Sequence, residues 1–219
     1  MKPFPVFGFI AMVGIFLAHY LVFVFAPMEV EMRAVQRIFY FHVPSAWLCF
    51  LGFIVCFGAS IGYLLNRKSK FDLFAYAAAE VGLVFGMIVL VTGPLWARAA
   101  WGVWWRWEPR LTSMALLVLI FAGYWVLRTF GGRGEGVRKF AAVLAIFGTP
   151  NIIFVHYAVK KWKGDHPDNV QLDPDMRIVL YSSLGILMIV FWLLLVNRYR
   201  AHRDRATVGA LRRRLSRLT

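Results

Sequence analysis

Long apolar runs alternate with short polar stretches along almost the whole sequence. A helix needs about 20 apolar residues to cross a hydrocarbon core of about 30 Å, and six runs come near that length. We therefore predict an all-α polytopic integral membrane protein with six transmembrane helices, at about residues 6–26, 46–65, 73–95, 111–128, 140–159 and 178–197.

The basic residues predict how these helices are oriented. Sixteen of the 25 Lys and Arg residues lie before helix one, between helices two and three, between helices four and five, or after helix six. Segments rich in Lys and Arg stay on the cytoplasmic side. Both termini are therefore predicted to be cytoplasmic, and the loops at about 27–45, 96–112 and 160–177 are predicted to face outward.

Composition narrows the class of protein further. A hydrophobic fraction of 60% with only 16% charged residues excludes a water-soluble globule, and the net charge of +14 indicates membrane topology rather than nucleic-acid binding. We expect one six-helix domain at 1–197 and a basic cytoplasmic tail at 198–219, which is a helix candidate for binding membrane lipid or a partner, or only a topology signal.

Five of the nine tryptophans lie in the third loop, at about 96–112. In a short helix Trp101, Trp104 and Trp105 would share one face, and a surface of indoles suits a large planar apolar ligand. An aromatic belt at the membrane interface is the alternative explanation.

Charged residues are interleaved with these tryptophans. Arg98, Arg106 and Arg110 are suited to pair with the carboxylates of such a ligand. Glu108 and Pro109 either start helix four, where a carboxylate and a proline fit the first turn, or Glu108 contacts the ligand directly.

Histidines flank the tryptophan loop on both sides. His42 lies just before predicted helix two, where Pro44 would set the approach to the helix and Ser45 would cap it. His156 lies near the outer end of helix five, and His166 follows in the next loop. Imidazole is the commonest neutral metal ligand, so these three are candidate ligands.

Two features inside the spans are unusual. Glu80 is the only carboxylate within a predicted span, and buried acids in membranes are paired or functional. Its candidate partners are Tyr76, Asn151 or another subunit. The GTPN segment at 148–151 should kink helix five, and the resulting irregular backbone suits the wall of a pocket.

The strings WGVWWRWEPRLTSM and RIFYFHVPSAW resemble the tryptophan-rich signature and the first histidine motif of CcmC-type haem-handling proteins. The resemblance extends over about residues 30–170 and includes the order histidine loop, tryptophan loop, histidine loop. It implies a protein of the inner membrane that holds haem b on the periplasmic side. It also implies delivery to a CcmE-type chaperone, together with CcmA and CcmB transporter subunits and a small CcmD-type subunit.

The family pattern is carried over one residue at a time. His42 matches the first axial histidine and His166 the second, with His156 as the alternative. The tryptophan surface of the family corresponds to Trp101, Trp104, Trp105 and Trp107. Glu108 stands where the family usually has aspartate, which preserves the charge on a longer side chain.

Rival functions of other classes are also compatible with the sequence. A small-molecule channel or transporter would use Glu80 and the helix-five kink to line its path. A CcsA-like or CcmF-like ligase would attach haem to cytochromes, and a scaffold would only assemble the transporter. We expect a haem-binding and haem-delivery protein rather than an enzyme, because two axial imidazoles leave no open position on iron.

Overall fold

A computed structural model describes residues 4–132, 134–161 and 170–218. Over these residues six helical segments are long and apolar enough to cross a membrane, which confirms the predicted fold class. A π-helical turn at Leu21–Phe25 extends the first helix, and a 3-10 turn at Ala34–Ile38 leads into the second. The α-helices are α1 (Phe4–Tyr20), α2 (Phe39–Asn66), α3 (Ser69–Trp101), α4 (Pro109–Phe130), α5 (Glu135–Gly148), α6 (Asn151–Lys161) and α7 (Pro174–Leu215).

The start of α2 differs from the prediction. The helix begins at Phe39, so the histidine motif is helical and both Pro44 and Ser45 lie inside α2 instead of preceding and capping it. Backbone groups near lipid must be satisfied within the helix, and membrane helices tolerate an internal proline. As a result, His42 stands on a rigid helix and not on a loop.

The centre of the bundle is a close contact between α2 and α3. A Cβ built on Gly52 would lie only 2.7 Å from the Cα of Gly82, so the two backbones touch at this point. Small residues allow such close packing between membrane helices. Phe53 of α2 also stacks on Phe121 of α4, with ring centroids 3.7 Å apart. This contact fixes α2, α3 and α4 relative to one another.

The fifth span is interrupted where the GTPN segment predicted a kink. α5 ends at Gly148 and α6 begins at Asn151, with a turn between them. Proline lacks the N–H group that would continue the helix, and the Thr149 hydroxyl donates to the Ala145 carbonyl at 2.7 Å. Asn151 Nδ2 donates to the Ser113 carbonyl at 2.7 Å, which ties the break to α4.

Buried charges gather at the end of the bundle where α2 turns into α3 and α4 is followed by α5, here called the connector end. Glu80 accepts hydrogen bonds from Arg198 at 2.8 and 2.6 Å and pairs with His202 Nε2 at 2.7 Å. Tyr76 does not bond Glu80 but stacks on the His202 ring at 4.3 Å. The partners of Glu80 therefore lie on α7, and Asn151 bonds elsewhere.

A second ion pair lies beside the first. Arg128 of α4 donates to Asp72 of α3 at 2.8 Å, and Arg138 of α5 lies 3.6 Å from the same carboxylate. The Arg128 guanidinium also covers the Tyr76 ring at 5.1 Å. The two ion pairs and Tyr76, here called the ion network, join α3, α4, α5 and α7. The basic segment after residue 197 continues α7 as helix to Leu215.

Candidate ligand cavity at the tryptophan end

A cavity of about 440 Å³ lies at the opposite end of the bundle, where residues 102–108 connect α3 to α4. This connection defines the tryptophan end. Volumes of about 300–1,000 Å³ are typical of small-molecule sites. The cavity brings together residues from both sequence motifs: His42, Trp96, Trp101, Trp105 and Arg110.

His42 reaches the cavity from the first turns of α2. Its Nδ1 lies 2.8 Å from the hydroxyl oxygen of Thr92 on α3. The Thr92 hydroxyl in turn donates to the Ile88 carbonyl at 2.7 Å. A Cβ built on Gly93 would lie 3.5 Å from His42 Cε1, so bare backbone borders the imidazole on this side.

Trp96, Trp101 and Trp105 line walls of the cavity, and the connection after Trp101 is not helical. α3 ends at Trp101 because Gly102 adopts a left-handed conformation with φ of 76°, which glycine favours at the C-terminal end of a helix. The prediction that Trp101, Trp104 and Trp105 share one helical face is therefore wrong. Trp96 and Trp101 instead meet edge to face, with ring centroids 5.0 Å apart.

Exposure separates the tryptophans into two groups. Trp101 and Trp105 are partly buried and line the cavity with Trp96. Trp104 is 58% exposed and Trp107 is 83% exposed, and neither is among the lining residues. Trp107 contacts Trp105 edge to face, with centroids 5.8 Å apart.

Of the three predicted arginines, Arg110 lines the cavity. Arg98 donates to the Gly102 carbonyl and so closes the end of α3, and its guanidinium lies 5.9 Å from the Trp104 ring. Arg106 lies 5.5 Å from the Trp101 ring and is not a lining residue. The guanidinium group of Arg98 thus lies over the exposed Trp104 ring, and that of Arg106 lies over Trp101, which lines the cavity.

Glu108 occupies the N-cap position of α4, and Pro109 is the first residue of the helix. The expectation that this pair starts helix four is confirmed. The carboxylate is placed where the helix dipole favours negative charge, and Glu108 is not a lining residue.

The second histidine of the predicted pair is not placed by the structure. His166 lies outside the described residues, which resume at Val170 in the cavity wall. His156 is exposed on α6, contacts Tyr157 edge to face and does not line the cavity. Among the described residues, no group of three or more His, Cys, Asp or Glu side chains could hold a bare metal ion.

Several lining residues were not assigned from the sequence. Glu29, Glu31 and Met32 lie in the connection between α1 and α2, where the Glu29 carboxylate accepts a hydrogen bond from the Met32 backbone N–H. Acidic residues in that connection were visible in the sequence. The contact of Thr92 with His42 was not visible, because 50 residues separate them along the chain.

Related proteins place the chain in a family. The family model described as "Heme exporter protein C" (CcmC) matches residues 1–218. The Heme exporter protein C of Rhodobacter capsulatus is 32% identical over 200 residues, covering 88% of this chain and 83% of the relative. That of Escherichia coli K12 is 34% identical over 174 residues, covering 76% and 70%.

A eukaryotic relative extends the comparison. A putative cytochrome c biosynthesis ccmC-like mitochondrial protein of Marchantia polymorpha is 30% identical over 180 residues, covering 81% of this chain and 76% of the relative. The resemblance inferred from the two sequence motifs is thus confirmed over nearly the whole chain. This chain belongs to the Heme exporter protein C family.

Proposed function

We propose that this protein binds haem b in the tryptophan-end cavity and delivers it for c-type cytochrome biogenesis. One observation carries the proposal: the histidine motif and the tryptophan motif, separated in the chain, border the same cavity. The relatives named Heme exporter protein C support haem as the cargo.

The residues present fit a flat macrocycle with acidic substituents. Trp96, Trp101 and Trp105 supply aromatic walls, and His42 supplies an imidazole. The buried indole N–H of Trp105 has no acceptor among the described atoms. Buried donors normally have a partner, and a propionate of the cargo would supply one. Arg110 would hold a propionate through charge-assisted hydrogen bonds.

The axial ligands are proposed to be His42 and His166, with His156 as the alternative to His166. Two imidazoles would occupy both axial positions of the iron, which favours carriage over oxygen chemistry. Release to another protein then requires one ligand to exchange. His166, which the sequence predicts to lie in a loop, suits that exchange better than His42, which stands on α2 and bonds Thr92 of α3.

We further propose the membrane orientation of this cavity and the proteins that surround it. The tryptophan end faces the periplasm and the basic segments face the cytoplasm, by the positive-inside rule. The acceptor is a CcmE-type haem chaperone, and the neighbours in the inner membrane are CcmA and CcmB transporter subunits and a small CcmD-type subunit. The basic end of α7 contacts membrane lipid or one of these partners.

The contacts of Glu80 in the ion network do not favour the rival function of a channel. Its path was expected to use Glu80, but both carboxylate oxygens of Glu80 are engaged by Arg198 and His202. A group held in this way joins helices and does not line an open path.

The spectrum of the purified protein tests the proposal. After expression with haem supply, the wild-type protein should show the Soret band of bis-histidine haem. The variants His42→Ala and His166→Ala should lose it, and His19→Ala should keep it, because His19 is exposed, bonds the Ile15 carbonyl of its own helix and is not a lining residue of the cavity. A normal spectrum in both His42→Ala and His166→Ala contradicts the proposal, and loss in His156→Ala instead of His166→Ala reassigns the second ligand.

A further inference from the structure

The hydroxyl group of Thr92 lies behind the imidazole of His42. The two side chains come from neighbouring helices, α2 and α3, and their polar atoms are 2.8 Å apart. The same hydroxyl oxygen is 2.7 Å from the Ile88 carbonyl oxygen, one turn earlier in α3. Both distances are those of hydrogen bonds.

The number of protons determines the direction of each bond. A threonine hydroxyl has one proton to donate and lone pairs to accept with. The Ile88 carbonyl can only accept, so the hydroxyl donates to it. Its remaining role towards His42 is that of acceptor. The neutral His42 ring therefore carries its proton on Nδ1 and its lone pair on Nε2.

We infer that Thr92 is a positioning residue that holds His42 in the Nδ1-protonated tautomer, with Nε2 as the atom that meets the iron. The inference rests on the proposed function for the identity of the cargo, but the tautomer itself does not depend on it. A second hydrogen bond of this kind commonly orients a metal-binding histidine and sets its tautomer.

The surrounding packing supports a fixed ring. Close contact at Gly52 and Gly82 packs α2 against α3, the two helices that carry His42 and Thr92. Gly93 follows Thr92 and borders the ring edge at Cε1, between the two nitrogens. The ring therefore has a hydroxyl behind Nδ1 and a backbone wall beside Cε1.

Nuclear magnetic resonance of the haem-free protein tests the tautomer directly. With isotope-labelled histidine in lipid nanodiscs, the signal missing from His42→Ala identifies His42. The wild-type protein should show the Nδ1-protonated form. Thr92→Val, which removes the hydroxyl at nearly constant shape, should shift the ring towards the Nε2-protonated form, and Thr92→Ser should restore the wild-type signal.

Haem binding provides the second readout. Loss of such a hydrogen bond lowers metal affinity about 10-fold to 100-fold, so Thr92→Val should bind haem at least about 10-fold more weakly and with a lower fraction of bis-histidine spectrum. Thr92→Ser should bind as the wild type does. The midpoint potential of bound haem should also move in Thr92→Val, because the ring loses the partner of Nδ1.

Thr129→Val is the matched control. The Thr129 hydroxyl makes the same bond to a carbonyl one turn earlier, at Trp125, and it also contacts Tyr76 at the connector end. This variant should leave both the His42 signal and haem binding unchanged. An Nε2-protonated His42 in the wild-type protein, or an unchanged tautomer in Thr92→Val, overturns the inference. Absence of haem from the wild-type protein overturns the proposed function alone.

Discussion

The two ends of this bundle use the same side chain in different ways. At the connector end, His202 is buried, bonds the Glu80 carboxylate at 2.7 Å and stacks on Tyr76. At the tryptophan end, His42 is half-buried, bonds a neutral hydroxyl and borders a cavity. The first histidine belongs to a compensated charge cluster that joins helices. The second borders a cavity of ligand size.

This difference shows how structural and binding polar groups can be told apart in a membrane protein. Polar groups away from water are costly unless they are paired. In the ion network the acidic and basic groups lie on different helices and satisfy one another. At the tryptophan end, imidazole, indole and guanidinium groups from separate segments border one cavity. Substitutions at the two ends should therefore separate stability from ligand binding.

The largest effect is expected on stability, from Arg128→Ala. Arg128 and Asp72 are 7% and 4% exposed, and removal of one partner of a buried ion pair costs about 3–5 kcal/mol, of which the longer contact of Arg138 with Asp72, at 3.6 Å, offsets a part. Denaturation in detergent micelles should report this loss. The fraction that remains folded should still bind haem, since Arg128 lies far from the cavity along α4.

Arg203→Ala is the control for this prediction. Arg203 pairs with Asp204 at 3.2 Å, but both side chains are exposed, and surface pairs contribute little. Its stability should match that of the wild type. Equal stability of the Arg128 and Arg203 variants would contradict the view that the ion network holds the helices together.

The two histidines should show opposite effects. His202→Ala should lower the free energy of unfolding by about 1–3 kcal/mol, because buried Glu80 loses a hydrogen-bond partner, and it should retain the haem spectrum. His42→Ala should lose the haem spectrum with a smaller change in stability. Parallel unfolding curves and absorption spectra measure both quantities. Haem loss in His202→Ala at full stability would remove the distinction between the two ends.

The sequence predicts the features of the fold that depend on neighbouring residues in the chain. The six spans follow from apolar length, and the break in the fifth span follows from the missing N–H of Pro150. The start of α4 at Pro109 is also a local feature. Each of these features is determined by residues within a turn or two of the site.

The remaining features depend on residues far apart in the chain. Glu80 pairs with Arg198 and His202, which are 118 and 122 positions away. The candidates nearer in the sequence, Tyr76 and Asn151, make other contacts. The shared helical face predicted for Trp101, Trp104 and Trp105 is absent for a different reason. A helical face through Trp101 requires the helix to continue, and Gly102 ends it. The positions of the later tryptophans depend on the irregular connection at 102–108, whose backbone has no helical periodicity.

Trp105→Leu should weaken haem binding about 10-fold, or about 1.4 kcal/mol, because it removes an aromatic wall. Trp104→Leu is the matched control, since Trp104 is exposed and does not line the cavity. Titration of haem into the two variants measures the difference. A larger loss in Trp104→Leu would restore the platform prediction and reject the wall arrangement.

The smallest effect is expected from Arg110→Gln. Arg110 lines the cavity, whereas Arg98 is engaged with the Gly102 carbonyl and the Trp104 ring. Loss of a charge-assisted contact to a propionate should weaken haem binding about fivefold, or about 1 kcal/mol, because the site is partly open to water and salt screens exposed charges. The haem affinities of the wild type and Arg110→Gln, measured by titration at low and high salt, should converge as the ionic strength rises.

Arg98→Gln is the control and should bind haem as the wild type does at both salt concentrations. Equal weakening by the two substitutions would mean that a general positive potential, and not a contact of Arg110, attracts the carboxylates.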